Sequence, residues 1–155
     1  MFYIFNQRSS GMKNNEDLLK LEQQVCFPIY TLSKEIVSMY RLYLDALDIS
    51  YPQYLVLMVL WEEQQATVSM ICDKLYLDTG TITPMLKRME AKELVVRTRQ
   101  KEDERVVLIT LTKKGKELKK KAAAIPHQLL EDIDLTREEL IFLRNITTKI
   151  LKKNR

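Results

Sequence analysis

Cysteine is scarce in this sequence: Cys26 and Cys72 are the only two thiols in 155 residues. They lie far apart with no framework spacing, which excludes a disulfide-stapled secreted scaffold and makes the reducing cytoplasm the expected compartment. Histidine is scarcer still. His127 alone cannot assemble the usual ligand clusters, so neither a metal nor another cofactor is expected. Three glycines and four prolines leave little material for turn-rich β architecture, and the expected class is mainly α. Long hydrophobic runs are missing too. The longest, Tyr54 through Trp61, is too short to cross a bilayer, and the opening MFYIF lacks a basic n-region and a full h-region, so no membrane or export segment is expected.

What is present is charge, unevenly spread. The net value is only +4, yet residues 87–121 hold 13 Lys and Arg against 6 Asp and Glu, whereas residues 1–86 hold 6 against 10. A basic block of this kind is either a solvated helix face or a footprint for a polyanion. The length suits one domain, with more apolar surface to bury if it pairs with a copy of itself.

Residues 1–15 show no periodicity and are expected to be a flexible leader, with a single domain over 16–152. From Glu16, apolar residues at Leu18, Leu21, Val25, Ile29, Leu32, Ile36, Met39, Tyr43 and Leu47 recur at steps near three and four, predicting one long amphipathic helix whose seam needs a partner. Ser50-Tyr-Pro-Gln53 reads as a capping box opening a second, nearly all-apolar helix through Trp61. Thr67 or Ser69 can cap a third helix. Asp78-Thr-Gly-Thr81 can cap a fourth, reaching about Glu93 with Ile82, Met85, Leu86 and Met89 inward. Val95–Arg99 and Val106–Leu111 are β-branched and alternating around a charged turn, which predicts a hairpin. Thr112 caps a lysine-rich fifth helix that Pro126 ends or kinks. Thr136 and Glu139 form a second capping box before a last amphipathic helix. The order predicts a winged helix-turn-helix.

On the fourth helix, Thr79, Thr81, Pro84, Lys87 and Arg88 fall largely opposite the apolar stripe, small near the start and cationic one to two turns later. Small groups let a helix end approach base edges, and cations contact phosphates. The hairpin turn adds Lys101, Asp103 and Arg105, and an arginine at a hairpin tip suits a narrow minor groove. LYLDTGTITPMLKRME followed by VVRTRQKEDERVVLITLT resembles the recognition helix and wing of the multiple-antibiotic-resistance regulator (MarR) family. QVCFPIY, Tyr40 and Tyr51-Pro-Gln-Tyr54 resemble that family's organic-hydroperoxide-sensing branch. The resemblance implies a homodimer on a pseudo-palindromic operator, with 16–48 and 112–152 as dimerisation helices, 50–111 as the DNA-binding lobe, and Thr79, Thr81, Pro84, Lys87 and Arg88 on the recognition helix. It further implies that Arg105 is the wing arginine and Asp103 the acidic residue that orients it.

Cys26 and Tyr30 share one helix face. Tyr40 lies fourteen residues on, about 21 Å along a straight helix, and so meets Cys26 only across a dimer. The resemblance implies that Tyr30, Tyr40 and Tyr51 surround a reactive Cys26, some of them from the second subunit. A phenol can donate to a thiolate and favour the nucleophilic form. Pro28 is expected to kink or restart the helix beside the sulfur. Cys72, among Met70, Ile71 and Leu75, reads as core packing, though a link to Cys26 stays open. The expected function is a DNA-binding transcriptional repressor, not an enzyme, that takes organic hydroperoxide or another oxidant at Cys26, the sulfenic acid then condensing with a low-molecular-weight thiol or a backbone nitrogen. The alternative is release by an aromatic or phenolic ligand, with the cysteine structural.

Overall fold

Proline decides where the first helix begins. In this computed structural model, which describes residues 19–153, α1 runs Cys26–Leu44. Pro28 sits in its first turn, where a missing N–H has no intrahelical acceptor to lose. The helix expected from Glu16 is therefore shorter, with a separate 3-10 turn, Leu21–Gln23, ahead of it. Residues 16–18 and the expected leader 1–15 lie outside the described residues. After a second 3-10 turn, Asp45–Leu47, the capping box closes as expected: the Ser50 N–H donates to Gln53 Oε1 at 3.0 Å and α2 (Tyr51–Glu63) follows. α2 is the central helix, burying Tyr54, Val56, Leu57, Val59, Leu60 and Trp61.

β1 (Gln65–Thr67) then runs directly into α3 (Val68–Leu75), whose Thr67 cap accepts from the Met70 N–H at 3.2 Å. α4 spans Thr79–Ala91. β2 (Val95–Arg99) and β3 (Val107–Leu111) pair antiparallel, Val95 opposite Leu111 and Arg99 opposite Val107. The sheet has three strands rather than the two expected, ordered β1-β3-β2, because Ala66 pairs with Ile109 across β1 and β3. Three helices close the chain where two were expected: α5 (Lys113–Ala122), α6 (Ile125–Asp132) and α7 (Arg137–Lys153). Pro126 lies in the first turn of α6, and its ring excludes one continuous helix through the alanine run.

The core gathers α2, α3, α4, the sheet and α5 around Leu57, Leu60, Ile71, Ile82, Leu86 and Ile109. A Tyr43 hydroxyl donating to the Asp132 carboxylate ties α1 to α6. The outer helices end with apolar faces uncovered: α7 has no buried residue, Phe142 is 68% exposed and Leu42 on α1 is 77% exposed. Such faces at helical spacing are the material of an interface. Among the described residues no helix is long and apolar enough to cross a membrane, and no cluster of His, Cys, Asp and Glu is arranged to hold a metal.

Candidate DNA-binding face and thiol site

The start of α4 is fixed by Asp78. Its Oδ1 accepts from the Thr81 N–H at 2.8 Å and its Oδ2 from the Thr81 hydroxyl at 3.0 Å, and these bonds hold the carboxyl below its ordinary range. A Cβ at Gly80 would lie 2.9 Å from Asp78 Oδ1 and crowd the cap. Ile82, Met85, Leu86 and Met89 are buried, which turns Thr79, Thr81, Pro84, Lys87 and Arg88 outward, all exposed. Pro84, inside the helix, has no N–H to donate to the Gly80 carbonyl, so that carbonyl loses its intrahelical i+4 donor. Thr81's hydroxyl is committed to Asp78, leaving its methyl group outward.

The wing tip is ordered through its main chain. Asp103 Oδ1 accepts from the Arg105 N–H at 2.9 Å, and the Val106 N–H donates to the Asp103 carbonyl at 2.9 Å. Asp103 thus shapes the turn through Arg105's backbone, while the guanidinium remains exposed together with Lys101. Two ties that sequence reasoning missed set the position of this face. Glu90 on α4 accepts from the Arg97 N–H of β2 at 3.1 Å and pairs with its guanidinium at 3.6 Å. Lys92, at the end of α4, donates to the Asp48 carbonyl and carboxylate at 2.6 and 2.7 Å. The first tie joins α4 to β2 and the second joins the end of α4 to the turn after α1. Arg105→Ala, which removes an exposed cation without touching that frame, is expected to weaken operator binding by roughly 5- to 150-fold for a lost contact of about 1–3 kcal/mol, most at sites with a narrow minor groove. Fluorescence anisotropy with A-tract and GC-flanked duplexes checks this, and equal affinity of variant and parent on both would remove the wing from the interface.

Cys26 opens α1 and is exposed. Tyr30, one turn on, is 62% exposed with the Lys34 Nζ 5.3 Å over its ring. At the far end of the same helix the Tyr40 ring stacks 4.5 Å from Tyr51 and 5.8 Å from Tyr54. The structure brings Tyr40 and Tyr51 together and adds Tyr54, already visible in the Tyr51-Pro-Gln-Tyr54 stretch. It leaves Cys26 about 21 Å and Tyr30 about 15 Å from Tyr40 along α1. Burial, with the neighbouring phenols Tyr51 and Tyr54, pushes Tyr40 from 10.0 to about 12, and burial raises Tyr51 and Tyr54 as well. These rings are kept as protonated donors. A cleft of about 610 Å³ opens beside Tyr51, with Val37, Ile49 and Pro52 as its apolar wall and Lys34 and Arg41 among its lining. Cys72 is half-buried against the core, where burial pushes its thiol up and away from reactivity.

Because Tyr40's folded value lies above its unfolded one, its contribution to stability is complete below pH 10 and is lost as pH rises through about 12. Denaturant midpoints across that window should fall less steeply in Tyr40→Phe than in the parent. Identical slopes would show that the ring is not buried as described.

Residues 38–122 match the family described as transcriptional regulator SarA/Rot. The organic hydroperoxide resistance transcriptional regulator of Bacillus subtilis strain 168 is 47% identical over 141 residues, covering 91% of this chain and 96% of that protein. The regulator SarZ of Staphylococcus haemolyticus is 37% identical over 134 residues, 86% of this chain and 91% of that one. Among solved structures, reduced AbfR bound to DNA is 33% identical with a TM-score of 0.75, covering 90% of this chain and 98% of that one, AbfR being a Staphylococcus epidermidis protein.

Proposed function

Since the chain belongs to the SarA/Rot family of transcriptional regulators, of MarR-like winged-helix fold, we propose a specific division of labour among its residues. The protein is a homodimeric, DNA-binding transcriptional regulator that senses oxidation. AbfR has been solved on DNA in reduced and overoxidised forms, and the B. subtilis relative is named for organic hydroperoxide resistance. Thr79, Thr81, Pro84, Lys87 and Arg88 face the major groove. Arg105, on a turn shaped by Asp103, enters the flanking minor groove. The outer segments 16–48 and 112–152 form the dimer and 50–111 the DNA-binding lobe, working in the cytoplasm.

One observation carries the sensing role: Cys26 and Tyr40 stand at opposite ends of one uninterrupted helix whose apolar face is uncovered. Antiparallel pairing of two such helices takes the thiol of one subunit to Tyr40 and Tyr51 of the other, with Tyr30 alongside. The Cys26 thiolate then attacks the terminal oxygen of an organic hydroperoxide. An S–O bond forms and the O–O bond breaks, sulfur is oxidised by two electrons, and the peroxide leaves as an alcohol after taking a proton. The sulfenic acid condenses with a low-molecular-weight thiol, releasing water and leaving a mixed disulfide. That adduct is too large for the aromatic site, and repacking around it separates the two recognition helices from successive major grooves. Oxidation is stoichiometric rather than a turnover.

The reading in which an aromatic ligand fills the 610 Å³ cleft is not favoured. Mass spectrometry of hydroperoxide-treated, operator-bound protein tests the choice: a modified Cys26 in the released fraction is expected, and release of unmodified protein would overturn it.

A further inference from the structure

A second concavity, of about 350 Å³, lies between α2 and the α5–α6 junction. Its floor is the buried Tyr54, Trp61 and Ala122, while Met58 stands 44% exposed among its lining beside Lys119. Tyr54 also belongs to the phenol cluster, its ring 5.8 Å from Tyr40, so groove and cluster share a wall. Ahead of Cys26 the chain carries Leu19, Leu21 and Val25, all exposed, Leu21 by 58%. We infer that this groove seats the Leu19–Val25 segment of a second copy of the chain.

The inference rests on the reading that the thiol of one subunit meets Tyr40 and Tyr51 of the other, and follows from chain continuity. If Cys26 arrives at those rings, the residues before it arrive with it. The five steps from Cys26 back to Leu21 reach at most about 17 Å extended, and nearer 10 Å where they tighten into the 3-10 turn. From Tyr40 the path crosses Tyr54 at 5.8 Å, and Met58 is one turn of about 6 Å further along α2. The reach suffices. Leucines that are solvated in their own chain meet a floor of aromatic rings and an adaptable thioether; at the rim Lys119 donates to the Trp61 carbonyl at 3.3 Å and Glu62 pairs with Lys74 at 3.6 Å. The segment acts as a tether: seated, it holds the partner subunit's Cys26 against the phenols, and a bulky adduct at Cys26 lifts it off.

The test places Leu21→Cys and Met58→Cys, together and singly, in full-length protein carrying Cys26→Ser and Cys72→Ser, and applies mild oxidation. The double variant should give a disulfide-linked dimer whose peptide map joins positions 21 and 58, a product neither single variant yields. A 21–58 link inside one chain, or no such link, overturns the seat. So does a Met58→Cys thiol in that background that reacts with maleimide as fast in the native dimer as in urea. Native Cys26 paired with Tyr51→Cys, in a Cys72→Ser background, is oxidised in parallel. A link there with none at 21–58 removes the groove and leaves the thiol reading standing; failure of both in a dimeric protein removes both.

Discussion

Cys26→Ser is expected to bind the operator as the parent does under reducing conditions and to stay bound when organic hydroperoxide is added. The parent should lose roughly 5- to 150-fold in affinity, the usual span of a coupling free energy between two sites. Serine keeps the size and a hydrogen-bonding group at the opening of α1, so the dimer and the DNA-binding lobe are undisturbed, but its oxygen cannot take up the two electrons' worth of oxidation that sulfur does. Because Cys26 is exposed at a helix start and touches none of the buried core, a folding defect is not the expected outcome. Tyr51→Phe separates the chemistry from the release. It keeps the ring that stacks on Tyr40 at 4.5 Å and removes only a hydroxyl that can donate to the thiolate. A hydrogen bond to a charged group contributes about 1.5–3 kcal/mol, so oxidation of Cys26 should slow by about tenfold or more while the oxidised protein still leaves DNA. Competition-kinetic labelling measures the first and anisotropy the second. Release retained in Cys26→Ser would move sensing elsewhere, with the cleft beside Tyr51 the first place to look.

How far such roles can be read without coordinates depends on the range of the interaction. Helix starts were legible because their chemistry is local: Ser50 with Gln53, Thr67, Asp78, Thr112 and Thr136 with Glu139 each satisfy orphan N–H groups within four residues. The outward set on α4 follows from the helical period of Ile82, Met85, Leu86 and Met89. β1 was not legible, for three residues carry no period, and Gln65–Thr67 become a strand only through β3, more than forty residues away. The break between α5 and α6 was announced by Pro126 but obscured by an alanine run with high helix propensity. The Glu90–Arg97 and Lys92–Asp48 ties join side chains whose proximity only the tertiary fold creates. The thiol site is half legible for a different reason: the residue types and spacing are local, but about 21 Å of helix separates Cys26 from Tyr40, so one chain alone does not bring them together.

Gly115→Ala, where the first turn of α5 packs against the root of the wing, should be strongly destabilising. A Cβ at this position would lie 2.1 Å from the Leu94 carbonyl oxygen and 3.1 Å from Leu111 Cδ2. The first neighbour is backbone, so no rotamer change relieves it, and the first turn of α5 must draw away from the root of the wing. Three bonds are attached to that turn. The buried Trp61 Nε1–H donates to the Gly115 carbonyl at 2.9 Å, the Gly115 N–H donates to Thr112 Oγ1 at 3.0 Å, and the Thr112 hydroxyl donates to the Glu93 carbonyl at 2.6 Å. Overpacking costs about 1–3 kcal/mol, and a buried indole N–H left without an acceptor about 1–3 kcal/mol more. Against a total stability of about 5–15 kcal/mol, a loss of about 2–6 kcal/mol lowers the urea midpoint sharply. Trp61 touches Tyr54 edge-on at 5.9 Å, and Tyr54 packs on Tyr40, so the same displacement reaches the phenol cluster as well as the wing. Trp61→Phe removes the indole donor, so in that background Gly115→Ala should cost only the steric part. The double-mutant cycle then returns a coupling of about 1–3 kcal/mol between two residues 54 positions apart. Additive effects would mean that the Trp61–Gly115 bond does not hold α5 to α2, and an unchanged urea midpoint in Gly115→Ala would mean that α5 does not approach the Leu94 carbonyl as described.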